Sequence, residues 1–136
     1  MRVEIGNKNL FKKILLDNFK IKGLNPGGIT FDSRKIQKND VFLAFKGNQV
    51  DGHEFIPDAL KNGASIVFSE KKIKDNRIIY KKSTKNVLGI LASNYRKESN
   101  CKIIAITGSN GKTTTKEILY HAIKKEINCI RNIKNY

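Results

Sequence analysis

The sequence predicts an α/β protein in two parts: a mixed α/β N-terminal domain over residues 1–98, and the first strand–helix–strand part of a second domain over residues 99–136. Two observations predict this class. Short apolar runs of strand length alternate with segments whose apolar residues recur at helical spacing, as in α/β folds. The segment 96–100, Arg-Lys-Glu-Ser-Asn, contains no apolar residue and separates the two parts.

The first helix is predicted close to the N-terminus. Asn7 can accept the hydrogen bond that begins a helix. Apolar residues then recur at helical spacing, at Leu10, Phe11, Ile14, Leu15 and Phe19. The cluster at 25–28, Asn-Pro-Gly-Gly, marks the loop that follows.

Four apolar runs of strand length predict the strands of the first domain: 29–32, 41–45, 66–68 and 78–80. Residues 55–61 predict a short helix, with Pro57 in its first turn and Gly63 as its stop. Ser83 or Thr84 can cap a longer helix. Its apolar face carries Val87, Leu88, Leu91, Ala92 and Tyr95.

The second part begins with a buried-type strand over 102–107, continues with a helix over 112–125, and starts another strand at 127–130. A strand–helix–strand unit cannot cover its own apolar faces, because a parallel sheet needs several strands with helices on both sides. We therefore expect residues 101–136 to be the beginning of a larger domain, and the chain to be a fragment.

The turn between that strand and that helix reads Thr107-Gly-Ser-Asn-Gly-Lys-Thr-Thr-Thr115. Its two glycines permit backbone conformations closed to other residues. Backbone N–H groups in the turn and the helix N-terminus can then point at phosphate oxygens. Lys112 can neutralise the β- and γ-phosphates of ATP, and Thr113 can offer its hydroxyl to Mg²⁺.

The candidate ATP-binding residues are Gly108, Ser109, Asn110, Gly111, Lys112, Thr113 and Thr114. Lys112 and Thr113 are the candidate catalytic residues, and Thr113 is also the candidate Mg²⁺ ligand. The spacing is shorter than the generic G-x-x-x-x-G-K-[ST] pattern, whose first glycine would fall at Ile106. The strand before the turn and the helix after it favour a phosphate loop over a chance surface turn.

The formal net charge of +15 admits nucleic acid, an anionic membrane surface or an anionic small molecule as a partner. The lysines are dispersed in separate pairs, at Lys12–Lys13, Lys71–Lys72, Lys81–Lys82 and Lys124–Lys125. No RNA- or DNA-binding motif accompanies them. We expect no nucleic-acid partner, although a basic nucleic-acid-binding protein remains an alternative.

The two cysteines, Cys101 and Cys129, form no CxxC pattern and belong to no His/Cys cluster of metal-ligand spacing. Buried, reduced thiols are expected. No apolar run approaches the ~20 residues of a membrane span, and no apolar stretch of a signal peptide follows Met1. These observations predict a cytoplasmic protein.

The short phosphate loop resembles the ATP loop of the Mur ligase superfamily, which also includes folylpolyglutamate synthetase. Other motifs are similar to the N-terminal uridine-nucleotide domain shared by ligases of the MurE and MurF types. They are Phe31-Asp-Ser-Arg-Lys, Asn39-Asp-Val-Phe-Leu-Ala-Phe-Lys-Gly47, Asp51-Gly-His-Glu-Phe-Ile56, Ala59 and Gly63-Ala64. Asn39-Asp40 departs from the Pro-Gly usual at that place, where Asn still permits a turn.

The resemblance implies an ATP-dependent amide ligase of peptidoglycan precursor synthesis, with ATP and Mg²⁺ as cofactors. In such enzymes a peptide carboxylate attacks the γ-phosphate of ATP to form an acyl phosphate, and an incoming amine then displaces phosphate. The protein mainly places and neutralises two anions that otherwise repel each other. The domain that binds the amine and the remaining metal ligands would lie beyond Tyr136, so the chain alone is expected not to ligate.

The resemblance also assigns site residues. Ser33 and the loop residues Asn48, Gln49 and Val50 would contact the UDP-sugar end of the substrate. Asp32 and Arg34 have two open interpretations, a structural ion pair that fixes the loop or a ligand contact. For His53, a hydrogen bond that stabilises its loop is favoured over catalysis.

Within the family the match leans to the MurF type, which joins D-Ala-D-Ala to UDP-MurNAc-tripeptide. The reasons are Lys116-Glu117 after the threonines, and Asn135 as the first residue of an Asn-x-Asn-Asn segment. The expected partners are therefore a UDP-MurNAc-peptide and D-Ala-D-Ala, and the full-length protein is expected to be a monomer. A MurE-type ligase, which adds the third amino acid, and a non-catalytic UDP-sugar-binding module remain alternatives.

Overall fold

The computed structural model describes residues 2–132. The chain divides into two compact units, residues 1–100 and 101–136. The first unit contains a five-stranded sheet and three α-helices. The described part of the second unit contains one α-helix. The predicted mixed α/β class is confirmed.

The strands of the first unit form one mostly parallel sheet. They are β1 (Arg2–Glu4), β2 (Gly28–Thr30), β3 (Val41–Leu43), β4 (Ile66–Ser69) and β5 (Ile78–Tyr80), side by side in that order. β1 runs antiparallel to β2, whereas β2 to β5 are parallel to one another. The four strands predicted from apolar runs are thus confirmed, and the short β1 is an addition.

Apolar side chains cover both faces of the central strands β3 and β4. Val41, Leu43 and Phe68 belong to a core cluster on one face. Phe42 and Val67 belong to a second cluster on the other face, and both are fully buried. Because successive side chains of a strand point to opposite faces, apolar runs without a polar member are typical of strands buried on both sides.

Three helices enclose this sheet. α1 (Lys8–Phe19) and α3 (Thr84–Glu98) contribute to the first cluster, and α2 (Ile56–Lys61) contributes to the second. Helices therefore lie on both faces, as a parallel sheet requires. The residues that they bury most completely are Phe11, Ile14 and Leu15 from α1, Ile56 and Ala59 from α2, and Val87 and Leu91 from α3.

The ends of these helices follow from side-chain caps. The Oδ1 atom of Asn7 accepts the Leu10 N–H at 3.0 Å where α1 begins. The hydroxyl of Ser83 accepts the Asn86 N–H at 3.2 Å where α3 begins. Both caps are among those predicted. The predicted helix over 55–61 begins one residue later, because Gly52–Phe55 forms a 3₁₀ turn before it.

The second unit differs from its sequence-based prediction. Its helix, α4 (Lys112–Ile123), is confirmed, but the structure has no strand over 102–107 or 127–130, which the sequence predicts as strands. A strand is defined by hydrogen bonds to a neighbour, and neither segment pairs with another within residues 101–132. The apolar side chains of Ile103 and Ile104 consequently stay exposed.

The same cause accounts for the cysteines. Cys101 is exposed and Cys129 is half-buried, so the expectation of buried thiols is wrong for Cys101. To bury the Cys101 side chain, the segments 102–107 and 127–130 would have to form the predicted sheet, and they are not strands in the structure. Among residues 2–132, no helix combines the length and the hydropathy needed to cross a bilayer.

Candidate functional site

The predicted site residues fall into two groups, one in each unit. The first group follows the carboxyl ends of the parallel strands β2 and β3 in the first unit. Carboxyl ends of neighbouring parallel strands meet at one edge of a sheet, where ligands of open α/β sheets bind. The second group surrounds the N-terminus of α4.

Ser33 lies directly after β2, at the start of a 3₁₀ turn over Ser33–Lys35. It is buried, and its backbone oxygen accepts a hydrogen bond from Asn62 Nδ2 at 2.9 Å. This bond connects the turn to the end of α2 without using the Ser33 hydroxyl. The backbone is therefore held independently of the group that the resemblance assigns to the ligand.

Asp32 and Arg34 form an ion pair around that turn. Asp32 Oδ1 accepts hydrogen bonds from Arg34 Nε at 2.9 Å and from the Arg34 backbone N–H at 3.2 Å. The hydrogen bond from the Arg34 side chain holds the pKa of the Asp32 carboxyl below its usual value. Of the two interpretations, the structure thus contains the loop-fixing ion pair, while the Arg34 side chain itself is 86% exposed.

The loop after β3 presents the other predicted residues. Lys46 and Asp51 pair as an isolated antiparallel bridge, and the Gly47 N–H donates to the Val50 oxygen at 2.9 Å. Between them, Asn48 and Gln49 are exposed at the tip, and Val50 is also exposed. We call residues 46–51 the tip loop. Its amide and backbone groups are open to a polar ligand.

An aromatic contact joins the two predicted segments of this edge. The rings of Phe31, directly after β2, and Phe45, two residues after β3, lie 5.9 Å apart between centroids. The Ser33 turn and the tip loop therefore start from adjacent points. Phe31 is half exposed, so its ring is available to a ligand at this edge. Phe31 was not among the predicted site residues, although it stands in the same Phe-Asp-Ser-Arg motif.

His53 lies at the base of the tip loop and is buried. Its Nδ1 atom is 2.6 Å from Asp51 Oδ1, and its Nε2 atom accepts the Glu70 N–H at 2.9 Å. Lys71 Nζ donates to the other oxygen of Asp51 at 2.8 Å. The predicted loop-stabilising hydrogen bond of His53 is therefore present, and it has two partners.

The carboxylates of this network are held in their ionised form. The pKa of Asp51 lies well below its usual range because Lys71 donates a hydrogen bond to it, as do the backbone and the ring of His53. The pKa of Glu70 is also lowered, first because its carboxylate accepts the Thr84 backbone N–H and then because it accepts the Thr84 hydroxyl. Glu70 thereby caps the N-terminus of α3.

In the second unit, the phosphate loop has the backbone that its glycines predict. Gly111 precedes α4 with a φ of +75°, and Gly108 has a φ of +149°. Both values lie in regions that favour glycine. The first helical hydrogen bond runs from the Thr115 N–H to the Gly111 oxygen at 2.8 Å. The first turn of α4 thus follows the glycine turn directly, and the N-terminus of a helix is a position where anions bind.

The Lys112 amino group folds back over this loop. It donates to the backbone oxygen of Gly108 and, at 3.3 Å, to that of Ser109. A bound phosphate would compete with these oxygens for the ammonium group. Thr113 and Thr114 are exposed in the first turn of α4.

These residues fit the Mg²⁺ complex of a nucleotide better than an ion held by protein alone. Within residues 2–132, no group of three or more His, Cys, Asp and Glu side chains is placed to hold a metal. Mg²⁺ commonly keeps several waters and is shared between phosphates and one or two protein oxygens. The Thr113 hydroxyl is suited to supply one such oxygen.

The two residues that favoured the MurF type have partners within the second unit. Glu117 pairs with Arg131 at 2.8 Å, and Lys116 Nζ donates to the Asn132 oxygen at 2.9 Å. The hydrogen bond from Arg131 lowers the pKa of Glu117. Asn135, the other residue on which that lean rests, lies outside the described residues.

A family model described as the Mur ligase family, catalytic domain, matches residues 27–133 of this chain. Among curated relatives, the UDP-N-acetylmuramoyl-L-alanyl-D-glutamate–2,6-diaminopimelate ligase of Cytophaga hutchinsonii is 40% identical over 104 residues, covering 71% of this chain and 21% of the relative. The UDP-N-acetylmuramoyl-tripeptide–D-alanyl-D-alanine ligase of Rickettsia prowazekii is 40% identical over 99 residues, covering 71% of this chain and 22% of the relative.

Solved structures are similar as well. The MurF ligase of Thermotoga maritima in complex with ADP has 39% sequence identity and a TM-score of 0.68, covering 72% of this chain and 23% of that one. MurF of Acinetobacter baumannii has 29% sequence identity and a TM-score of 0.70, and the match covers 88% of this chain and 28% of that one. The chain thus spans between a fifth and three tenths of the length of these relatives.

Proposed function

This chain belongs to the Mur ligase family, and on that basis we propose that it is the N-terminal part of a cytoplasmic ATP-dependent ligase of peptidoglycan precursor synthesis. The observation that carries the proposal is the family match over residues 27–133, which includes both the tip loop and the phosphate loop. Relatives in this family are named for ligating peptides carried on UDP-N-acetylmuramic acid.

Each group of residues has a role in this proposal. Ser33 and the tip-loop residues Asn48, Gln49 and Val50 bind the uridine-nucleotide end of the peptide substrate. Residues 108–114 bind ATP, and Lys112 leaves the loop oxygens to neutralise its phosphates. Thr113 supplies an oxygen to the accompanying Mg²⁺. Neutralising two anions lets the substrate carboxylate approach the γ-phosphate.

The ADP complex of the Thermotoga maritima relative supports the nucleotide assignment. In this chain, the positive φ values of Gly108 and Gly111 and the position of Lys112 at the start of α4 agree with it. We propose ATP as the bound nucleotide because phosphorylation converts a carboxylate into an acyl donor that an amine can attack.

We favour the MurF activity, in which D-Ala-D-Ala is joined to a UDP-MurNAc-tripeptide. The similar solved structures of Thermotoga maritima and Acinetobacter baumannii are MurF enzymes. Lys116-Glu117 after the threonines also resembles the MurF type. The second candidate is the MurE activity, supported by the Cytophaga hutchinsonii relative and by one from Clostridium perfringens that is 38% identical over 123 residues.

Calorimetric titration of the 136-residue chain tests the substrate assignment. UDP-MurNAc-tripeptide should bind, and Ser33→Ala should abolish binding while leaving the backbone held by Asn62. Ser99→Ala is the matched control, since Ser99 lies at the C-terminal end of α3 and its hydroxyl donates to the Arg96 backbone oxygen. A folded wild-type sample that does not bind the nucleotide would contradict the proposal.

A ligation assay separates the two activities. The longer protein should consume ATP with UDP-MurNAc-tripeptide and D-Ala-D-Ala, and should not do so with UDP-MurNAc-L-Ala-D-Glu and 2,6-diaminopimelate. The reverse preference would establish the MurE type. The 136-residue chain alone should give no product with either pair, and ATP-dependent product from it would contradict our proposal.

A further inference from the structure

The geometry around His53 determines which ring nitrogen carries the proton. The Glu70 N–H lies 2.9 Å from Nε2, and a backbone N–H can only donate. Nε2 is therefore an unprotonated acceptor. Nδ1 must then carry the proton of the neutral ring, which it donates to Asp51 Oδ1 at 2.6 Å.

Each partner of this imidazole anchors a different part of the fold. Asp51 closes the tip loop as the bridge partner of Lys46, and it also accepts the His53 backbone N–H at 3.0 Å. Glu70 follows β4, and its Oε1 accepts the Thr84 N–H at 2.8 Å and the Thr84 hydroxyl at 2.9 Å. The ring of His53 thus connects the base of an exposed loop to β4 and to the first turn of α3.

The tip loop has few other constraints. Its own backbone bond joins Gly47 to Val50, and the Gly52 N–H donates to the Phe45 oxygen at 2.7 Å. Its tip residues Asn48, Gln49 and Val50 are exposed and belong to neither core cluster. Ordering such a segment costs conformational entropy, so a rigid base reduces the cost that a ligand must meet on binding.

We propose that His53, as the neutral tautomer protonated on Nδ1, is a positioning residue that holds the tip loop in the shape that binds the uridine nucleotide. This inference rests on the proposed function of Asn48, Gln49 and Val50. His53 itself does not touch the substrate. It acts through Asp51 on one side and through the Glu70 N–H on the other.

Two substitutions test the two hydrogen bonds of the His53 ring separately. In His53→Asn, the side-chain amide can still donate to Asp51 but does not reach the Glu70 N–H. In His53→Gln, the amide oxygen can accept from Glu70 but the donor to Asp51 is lost. His121→Asn, at an exposed position of α4, is the matched control.

The test measures the dissociation constant for UDP-MurNAc-tripeptide and amide hydrogen exchange of residues 46–52. We expect His53→Asn to weaken binding about tenfold, because one buried hydrogen-bond partner is lost, and to speed exchange in the loop while β3 and β4 stay protected. His121→Asn should change neither quantity. Unchanged affinity and exchange in both folded His53 variants would overturn the proposal.

Nitrogen NMR of the wild-type chain reports which ring nitrogen of His53 is protonated, and this measurement does not depend on the folding of any variant. A protonated Nδ1 is expected, and a protonated Nε2 would overturn the inference. If the wild type binds no UDP-MurNAc-tripeptide, the proposed function fails and the positioning role fails with it. If the wild type binds UDP-MurNAc-tripeptide and the His53 variants bind it with the same affinity, the proposed function stands and only the role of His53 is wrong.

Discussion

At the scale of single residues, the Arg2–Asp40 ion pair joins β1 to the residue that precedes β3. Arg2 Nε and Nη2 donate to the two oxygens of Asp40 at 2.6 and 2.9 Å. The Asp40 side chain is fully buried and also accepts the Gln37 N–H at 2.9 Å. Gly28 makes room for this pair, because a Cβ atom there would lie 2.7 Å from Arg2 Nη2.

We predict that Arg2→Met lowers the free energy of unfolding by about 3 kcal/mol, because it leaves the Asp40 carboxylate buried without its cation. Denaturant unfolding followed by circular dichroism measures the change. Adding Asp40→Asn should recover part of the loss. Arg34→Met is the control, since solvent screens the exposed Arg34–Asp32 pair and the loss of unfolding free energy should be much smaller. Equal losses in the two single variants would contradict the assignment.

The Asp51 carboxylate makes stability depend on pH. Its pKa is lowered in the folded chain, first by the hydrogen bond from Lys71. A carboxylate with a lowered folded pKa stabilises the fold above its unfolded pKa of about 3.9, and that contribution is lost as the pH falls below it. Asp51→Asn should therefore show a shallower loss of unfolding free energy between about pH 5 and pH 2. If the unfolding free energy of this variant fell with pH as steeply as that of the wild type, the prediction would be wrong.

At the scale of elements, the phosphate loop depends on backbone conformation and not on space. A Cβ atom at Gly111 would meet nothing within 4 Å, but the φ of +75° is unfavourable for any residue with a side chain. Gly89, inside α3, also has open space around it and has no positive φ. Gly111 and Gly89 therefore both have room for a methyl group, and they differ in that only Gly111 has a positive φ.

We predict that Gly111→Ala costs about 1 kcal/mol at the start of α4 and weakens ATP·Mg²⁺ binding, because the N–H groups of the first turn lose their arrangement. Gly89→Ala should stabilise the first unit by up to about 1 kcal/mol, because alanine favours a helix over glycine. Hydrogen exchange of α4 amides and calorimetry with ATP measure the first effect, and thermal unfolding measures the second. Stabilisation by Gly111→Ala would contradict the loop geometry.

At the scale of the whole molecule, the two units differ in how completely their apolar residues are buried. The first unit has two core clusters enclosing β3 and β4. In the second, no described residue of α4 is buried, and Ile118 is 65% exposed. Burial of apolar area is the main stabilising contribution, so the stability of the chain should be concentrated in the first unit.

We therefore predict that native-state hydrogen exchange is slowest at amides of β3 and β4, such as Phe42 and Val67, where opening requires global unfolding. Amides over 102–107 should exchange orders of magnitude faster, because no strand within residues 2–132 pairs with that segment. Mass spectrometry of exchanged peptides from the intact chain measures both. Comparable protection in the two segments would show that the second unit has an ordered sheet of its own.

Local sequence predicts much of the fold and part of the candidate site. The helical spacing after Asn7, the apolar runs at 41–45 and 66–68, and the Gly-Lys-Thr turn each depend on a few neighbouring residues. The caps, the strands of the core and the positive φ values of the phosphate loop followed from them. The roles of Ser33 and of the tip loop rest on family resemblance and remain proposals.

Local sequence therefore predicts the type and order of the main elements and the backbone of the glycine turn before α4, because propensity, capping and apolar period act over a few residues. The pairing of β1, the hydrogen-bond partners of His53 and the lack of strands at 102–107 and 127–130 became known only from the folded chain. Each of these depends on partners distant in the chain, such as Arg2 and Asp40 or His53 and Glu70. An apolar run becomes a strand only where another strand lies beside it to share hydrogen bonds.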